Sequence, residues 1–314
     1  MQPTSLTRRL AASPLAPVAV FPLRFATVAR HNAGVLLRSG RWLVRSRENA
    51  CFTYDLTPVN REHLAWFTAT VTGRPVGELR GYLDEVEADV ALRTHMREVL
   101  AAGPRRRTCD HLVRYARRAA VYAVVRALRP EHVVEAGVHR GITSCLIAAA
   151  LLRNGTGRLT AVDVDPQSGE LLQRGPYASV VDRVVGDSVA TLCSAPVRER
   201  GIDLLVLDTY VDSRHETSEL MAALPALRER AVVLSTTSHF LGSLAEWSER
   251  HHRTFLHFRE DPAEHWHPGE GYGASFPGLS VPGTSSPGPS VSGASSGAAT
   301  TPGAAGAATP GHPG

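Results

Sequence analysis

The chain has 314 residues, a formal net charge of +4, 43% hydrophobic and 20% charged residues. That length can bury a substantial core, and no apolar run reaches the length of a membrane span, so no transmembrane segment is expected. All 34 Lys and Arg positions hold Arg; a nucleic-acid surface generally mixes the two cations, so this bias is read as genomic and no specific nucleic-acid partner is expected. Cys51, Cys109, Cys145 and Cys193 lie far apart without a Cys-x-x-Cys pair. That spacing argues against zinc or a disulfide framework and fits a reducing, cytoplasmic location.

No acid occurs before Glu48, while Arg8, Arg9, Arg24, Arg30, Arg38, Arg41, Arg45 and Arg47 do. Residues 1–30 show no clear period and read as a flexible basic arm. An organelle transit peptide and a surface-binding helix stay open as alternatives. Residues 31–130 read as a helical cap. A short helix is predicted over 33–44 with Leu36, Leu37 and Trp42 inward. Another over 60–71 follows the Thr57-Pro58 start signal. One or two more are predicted over 76–99 with Leu79, Leu83, Val86, Val90 and Leu92 inward, and a long one over 108–128 is closed by Pro130.

After Pro130 short β-rich runs alternate with helical ones. Strands are predicted at 132–135, 159–162, 180–185, 204–207, 232–234 and 254–258, with helices at 143–152, 167–172, 189–193, 217–227 and 241–248. This alternation implies an α/β class over 131–276: a Rossmann-like open, mostly parallel sheet with helices on both faces. Residues 277–314 are almost entirely Gly, Pro, Ser, Thr and Ala and are predicted to be a disordered tail, since they have little apolar surface to bury.

Ligands of such sheets bind at the C-terminal ends of the strands, so the residues after each strand matter most. The first strand runs into Glu135-Ala136-Gly137-Val138-His139-Arg140-Gly141. Its Glu-x-Gly-x-x-x-Gly spacing differs from the Gly-x-Gly-x-x-Gly of dinucleotide enzymes. Gly137 allows a tight turn, and Gly141 opens a helix whose free N–H groups face a ligand. After the second strand Asp163 can accept two ribose hydroxyls, in charge-assisted bonds of about 1.5–3 kcal/mol each; Asp165 reads as a helix cap. After the third stand Asp187 and Ser188, suited to an adenine edge or to capping. After the fourth stands Asp208, which no core role suits.

These motifs, VVEAGVHRGITS, AVDVDP, VVGDS and IDLLVLDTY, resemble those of class I S-adenosylmethionine (SAM)-dependent methyltransferases, closest to the small-molecule O-methyltransferase-like branch. The resemblance implies that Glu135, Gly137 and Gly141 surround the methionine part of SAM, that Asp163 holds the ribose, and that Asp187 and Ser188 meet the adenine. Asp208 would face the transfer site. Further stretches resemble uncharacterised methyltransferase-like bacterial proteins: Arg41-Trp42-Leu43 to Glu48, Phe52 to Leu56, and His265-Trp266-His267 through Gly273. They imply that the helical region belongs to the same enzyme.

Metal-dependent members of the branch carry carboxylate or amide ligands after the fifth strand. Here that place reads Ser235-Thr236-Thr237-Ser238-His239, and hydroxyls are poor ligands for hard cations; no obligatory metal is expected. His239, Asp208 and His215 are the candidate general bases, with His239 first. His265, Trp266 and His267 read as a loop beside the acceptor, with Trp266 and Tyr272 as an aromatic wall. The partner is then a small-molecule methyl acceptor, modified at oxygen, and a homo-oligomer is compatible with the chain. The alternative is a non-catalytic SAM- or nucleotide-binding protein with a degenerate site. An NAD enzyme is disfavoured by the glycine spacing.

Overall fold

The computed structural model describes residues 12–14, 16–49 and 52–278. The predicted tail, from residue 279 on, and the first eleven residues of the predicted arm lie outside the described residues.

The first element differs from the sequence reading. One helix, α1 (Ala16–Arg45), takes in residues 16–30 of the predicted arm together with the predicted short helix. Pro17 sits in the first turn, where its missing N–H costs nothing, and Pro22 is carried inside the helix. Leu36 and Leu37, expected inward, are 71% and 76% exposed; no residue of α1 is buried. Trp42 alone of the three turns toward the protein, against Phe52 and Trp266 with ring centroids 5.5 and 5.2 Å away.

Helix α2 (Pro58–Thr72) starts as its sequence predicts: the Thr57 hydroxyl accepts the Asn60 N–H, and Gly73 ends the helix at φ 66°. Asp89 separates α3 (Val76–Ala88) from α4 (Val90–Ala102), its carboxylate accepting the Leu92 N–H. Leu79, Leu83, Val86 and Leu92 are buried as expected, but Val90, at the first position of α4, is exposed. The long helix expected over 108–128 exists only as α5 (Ala119–Leu128), after a 3₁₀ turn. Two features break it earlier. The Asp110 carboxylate accepts the Ser46 hydroxyl and the Arg47 N–H, and Ala116 has φ 46°, which a regular helix cannot contain.

The sheet comprises β1 (His132–Ala136), β2 (Arg158–Asp163), β3 (Val181–Val185), β4 (Ile202–Leu207), β5 (Leu227–Ser235), β6 (Arg253–Arg259) and β7 (Gly271–Pro277). Its order is β3-β2-β1-β4-β5-β7-β6. The first five strands are parallel, while β7 pairs antiparallel with both β5 and β6. Helices α6 (Ile142–Asn154), α7 (Ser188–Leu192), α8 (Ala195–Arg200), α9 (Ser213–Ala223) and α10 (Ser243–Arg250) complete the chain order.

All of β1 is buried, as a central parallel strand covered on both faces should be. Val133 belongs to the core shared with α2–α6, whereas Val134 and Ala136 belong to the core shared with α9 and α10. Each such side chain contributes about 1.5–3 kcal/mol on burial. The Rossmann-like class read from the sequence is therefore the observed one. The helical region packs into the same unit: Asn60 donates to the Arg259 carbonyl at 2.9 Å and accepts the Asp261 N–H at 2.9 Å, tying α2 to the end of β6. The described residues through Gly278 form one compact unit.

Candidate functional site

The strand order reverses between β2-β1 and β4-β5, and the cleft opens where that reversal requires it, outside the C-terminal ends of β1 to β4. It has a volume of about 370 Å³, within the range of small-ligand pockets. Gly137, Asp163, Asp187, Ser188, Asp208 and His215 all line it, together with His139 and Tyr210. Glu135, Gly141 and His239 are not among its lining residues.

Two positions of the glycine turn need glycine. Gly137 has φ 87°, and a Cβ there would stand 2.2 Å from the Asp208 carbonyl oxygen. Gly141 has φ 86° and starts α6 beside the Gly169 backbone, 3.3 Å from where its Cβ would be. The turn is clamped by Asp163: one carboxylate oxygen accepts the N–H groups of Val138 and His139, each at 2.8 Å, and the other accepts that of Asp165 at 2.9 Å. Burial alone would raise the Asp163 carboxyl, but these three donors outweigh it and hold it below the usual range. A carboxylate oxygen accepts two hydrogen bonds, so one acceptor position remains.

Glu135 departs further from expectation. It is 1% exposed and accepts the Ser144 hydroxyl from α6. Burial pushes its carboxyl well above the usual range, Ser144 opposes this, and Asp208 and Asp163 add to it. Glu135 thus braces the turn from beneath rather than lining the cleft. Asp187 caps α7 by accepting the Ala190 N–H at 2.8 Å, while its residue still faces the cleft.

Ser188 donates to buried Glu219 at 2.6 Å, and Thr209 donates to the other oxygen of that carboxylate at 3.1 Å. His215 Nε2 lies 3.1 Å from Glu219 and 3.3 Å from the Ser188 hydroxyl, its ring stacked on Tyr210 with centroids 4.7 Å apart. His215 is therefore oriented within a polar network. His239 sits on the turn after β5, stacked on His257 at 6.4 Å.

Asp208 accepts the Thr236 hydroxyl at 2.7 Å. Burial raises its carboxyl, while Arg117 and Thr236 pull it down. Ser235 and Thr237 both donate to buried Glu216, while the buried Ser238 hydroxyl has no partner among the described residues.

Beyond Asp208 lies a cluster the sequence did not single out. Arg117, 6% exposed in its side chain, pairs with Glu260 at 2.9 Å and Glu270 at 2.6 Å. Glu260 also accepts the Tyr54 hydroxyl at 2.8 Å and the Arg117 N–H at 2.9 Å. Tyr272 of β7 lies beneath the Arg117 guanidinium, 5.4 Å from its ring centroid, and its buried hydroxyl has no partner among the described residues. Trp266, expected beside Tyr272 as an acceptor wall, packs instead on Trp42 and Phe52. The three peripheral stretches noted in the sequence converge here: Trp42, Phe52, Tyr54, His265 and His267 form one aromatic cluster. Burial pushes His265 down to about 4, with His267 adding to the effect. The signal for Arg117 was hidden in a run of arginines from Arg105 to Arg118; that for Glu260 was its place at the end of β6.

The sheet order, the glycine turn and the acids at successive strand ends define a Rossmann-like α/β domain with its ligand cleft at the strand ends. Residues 134–235 match the family model for a methyltransferase domain. No curated protein matches the chain. Among solved structures, the chain is similar to the O-methyltransferase TomG from Streptomyces achromogenes, involved in tomaymycin synthesis and solved with SAM. That similarity has 18% identity and a TM-score of 0.44, over 59% of this chain and 90% of that one. An O-methyltransferase from Bacillus cereus in complex with SAH gives 13%, 0.45, 58% and 90% for the same measures. A methyltransferase from Geobacter sulfurreducens gives 18%, 0.43, 64% and 96%.

Proposed function

We propose that the cleft binds SAM and that the protein methylates a small-molecule acceptor, at oxygen and without an obligatory metal. The observation that carries this reading is the Asp163 clamp on a glycine turn that lines the cleft of a methyltransferase domain. A Cβ at Gly137 would displace backbone at the cleft floor, and the remaining acceptor position of Asp163 suits one ribose hydroxyl. Asp187 and Ser188 line the far end, where the base would lie. Gly141 and Glu135 act behind the turn, by setting its path. The nicotinamide alternative lacks the corresponding glycine spacing.

When bound, SAM supplies a methyl group on a positively charged sulfur that is already a good leaving group. The protein's task is then to hold the acceptor in line and to receive its proton. Asp208 is the residue best suited to that proton. It lies between the cleft and the Arg117 cluster, and burial raises its carboxyl toward the range of a general base. His215 holds its nitrogen toward Glu219 and is assigned to orienting the cleft wall. His239 lies to the side of the cleft, beside His257, and is assigned to the acceptor's surroundings. Ser235, Thr236 and Thr237 donate to Glu216 and Asp208, which supports metal-independent chemistry.

The reading is tested by incubating the protein with methyl-labelled SAM and panels of phenols, sugar alcohols and amines, with and without chelator. Labelled ether product insensitive to chelator is expected. Complete, Mg²⁺-reversible loss would overturn metal independence. SAM binding without transfer to any acceptor would favour the non-catalytic alternative.

A further inference from the structure

Helix α1 is the largest feature that the methyltransferase reading leaves unexplained. It runs 30 residues with no buried side chain. At 3.6 residues per turn, Val18, Phe21, Phe25, Leu36 and Leu43 fall within about 60° of one another. Phe21 and Phe25 are 61% and 63% exposed, and Leu36 and Leu43 are each 71% exposed. Arg24, Arg30, Arg38, Arg41 and Arg45 are centred on the opposite face, where exposed Val20 and Leu23 also fall, and α1 contains no acid. The helix is fixed to the protein through Trp42 in its last turns, which leaves the apolar stripe uncovered.

We propose that α1 is an amphipathic anchor that lays the protein on an anionic lipid surface. An apolar stripe with Phe and Leu, opposed by a face of Arg, is the pattern of helices that lie in the membrane interface. No helix among the described residues is long and apolar enough to cross a membrane, so α1 lies along the surface. Charge selects the occupant. A second copy would bring two acid-free, arginine-rich helices side by side with no complementary charge. An anionic leaflet supplies that charge, and each basic residue near it adds attraction.

The full chain should co-sediment with vesicles containing phosphatidylserine or phosphatidylglycerol and not with pure phosphatidylcholine vesicles, with binding weakening as salt rises. Phe25→Glu/Leu36→Glu, which alters only exposed side chains, should weaken partitioning by at least about tenfold, since it adds charge where apolar surface enters the lipid. Arg24→Gln/Arg38→Gln/Arg45→Gln should do the same while leaving the melting temperature unchanged. Vesicle binding unaltered by both variants would overturn the proposal. So would equal binding to phosphatidylcholine, or absence of vesicle binding together with a dimer that Leu36→Glu dissociates.

Discussion

Gly137 in the turn after β1 and Asp208 at the end of β4 approach so closely that a Cβ on Gly137 would stand 2.2 Å from the Asp208 carbonyl oxygen. The contact joins the glycine turn to the carboxylate assigned to the acceptor. Because the obstacle is backbone and the local φ is 87°, Gly137→Ala carries both strain and collision. It should destabilise the protein by about 2–4 kcal/mol, measured by denaturant unfolding. Gly186→Ala is the control. It has open space and no positive φ, and its stability change should stay within about 1 kcal/mol.

The Arg117–Glu260 pair is buried, with side-chain exposures of 6% and 0%. Removing Arg117 leaves the buried Glu260 carboxylate uncompensated, so Arg117→Met should cost about 3–5 kcal/mol; Glu260→Met should cost less, because Glu270 still pairs with Arg117. Arg117→Met/Glu260→Met should cost clearly less than the two single changes together, because the double variant buries no lone charge. Additive losses in that cycle would contradict the pairing.

The sheet was legible where strands are continuous apolar runs, as in β1, β2 and β4. It was not legible at β7, where no strand was predicted and which holds Gly271, Gly273 and Ser275. Those glycines are needed by the sheet itself: a Cβ at Gly271 would stand 2.2 Å from the Phe258 carbonyl oxygen, and one at Gly273 would stand 2.1 Å from the Ser238 hydroxyl. Helix α1 was hidden by Pro17 and Pro22, local breakers that the helix accommodates. In the site, glycines and strand-end acids were found in order, since spacing marks them. Spacing could not show that Glu135 faces inward to Ser144, or that Asp163 spends three acceptor positions on backbone. Arg117, Glu260 and Tyr54 come from distant segments and meet only after folding.

With Asp208 as the proposed base, transfer should depend on pH. Burial raises its carboxyl above the ordinary value near 3.9, so it stays protonated to a higher pH than a free aspartate. The base form appears only above the raised value, and the transfer rate should fall as pH drops through it. Asp208→Asn should lower the rate by about 10²–10⁴ with SAM binding retained, and should abolish that limb of the pH profile. An unchanged profile would remove Asp208 as the base.

For Asp163 the sign is opposite. Its carboxyl is held down in the folded protein, so its contribution to stability is present above the unfolded value near 3.9 and is lost as pH falls through the folded value. The stability gap between the native protein and Asp163→Asn should therefore narrow as acid is added below about pH 4, by denaturant titration at several pH values. A gap that widens in acid would contradict the clamp.

Calorimetric titration of the full chain with SAM, and in parallel with NAD, tests the central claim most directly. A single SAM site is expected, with no comparable NAD binding, and Asp163→Ala should weaken SAM by at least about tenfold through loss of charge-assisted bonds. Absence of SAM binding to the native chain, or tighter binding of NAD, would contradict the account.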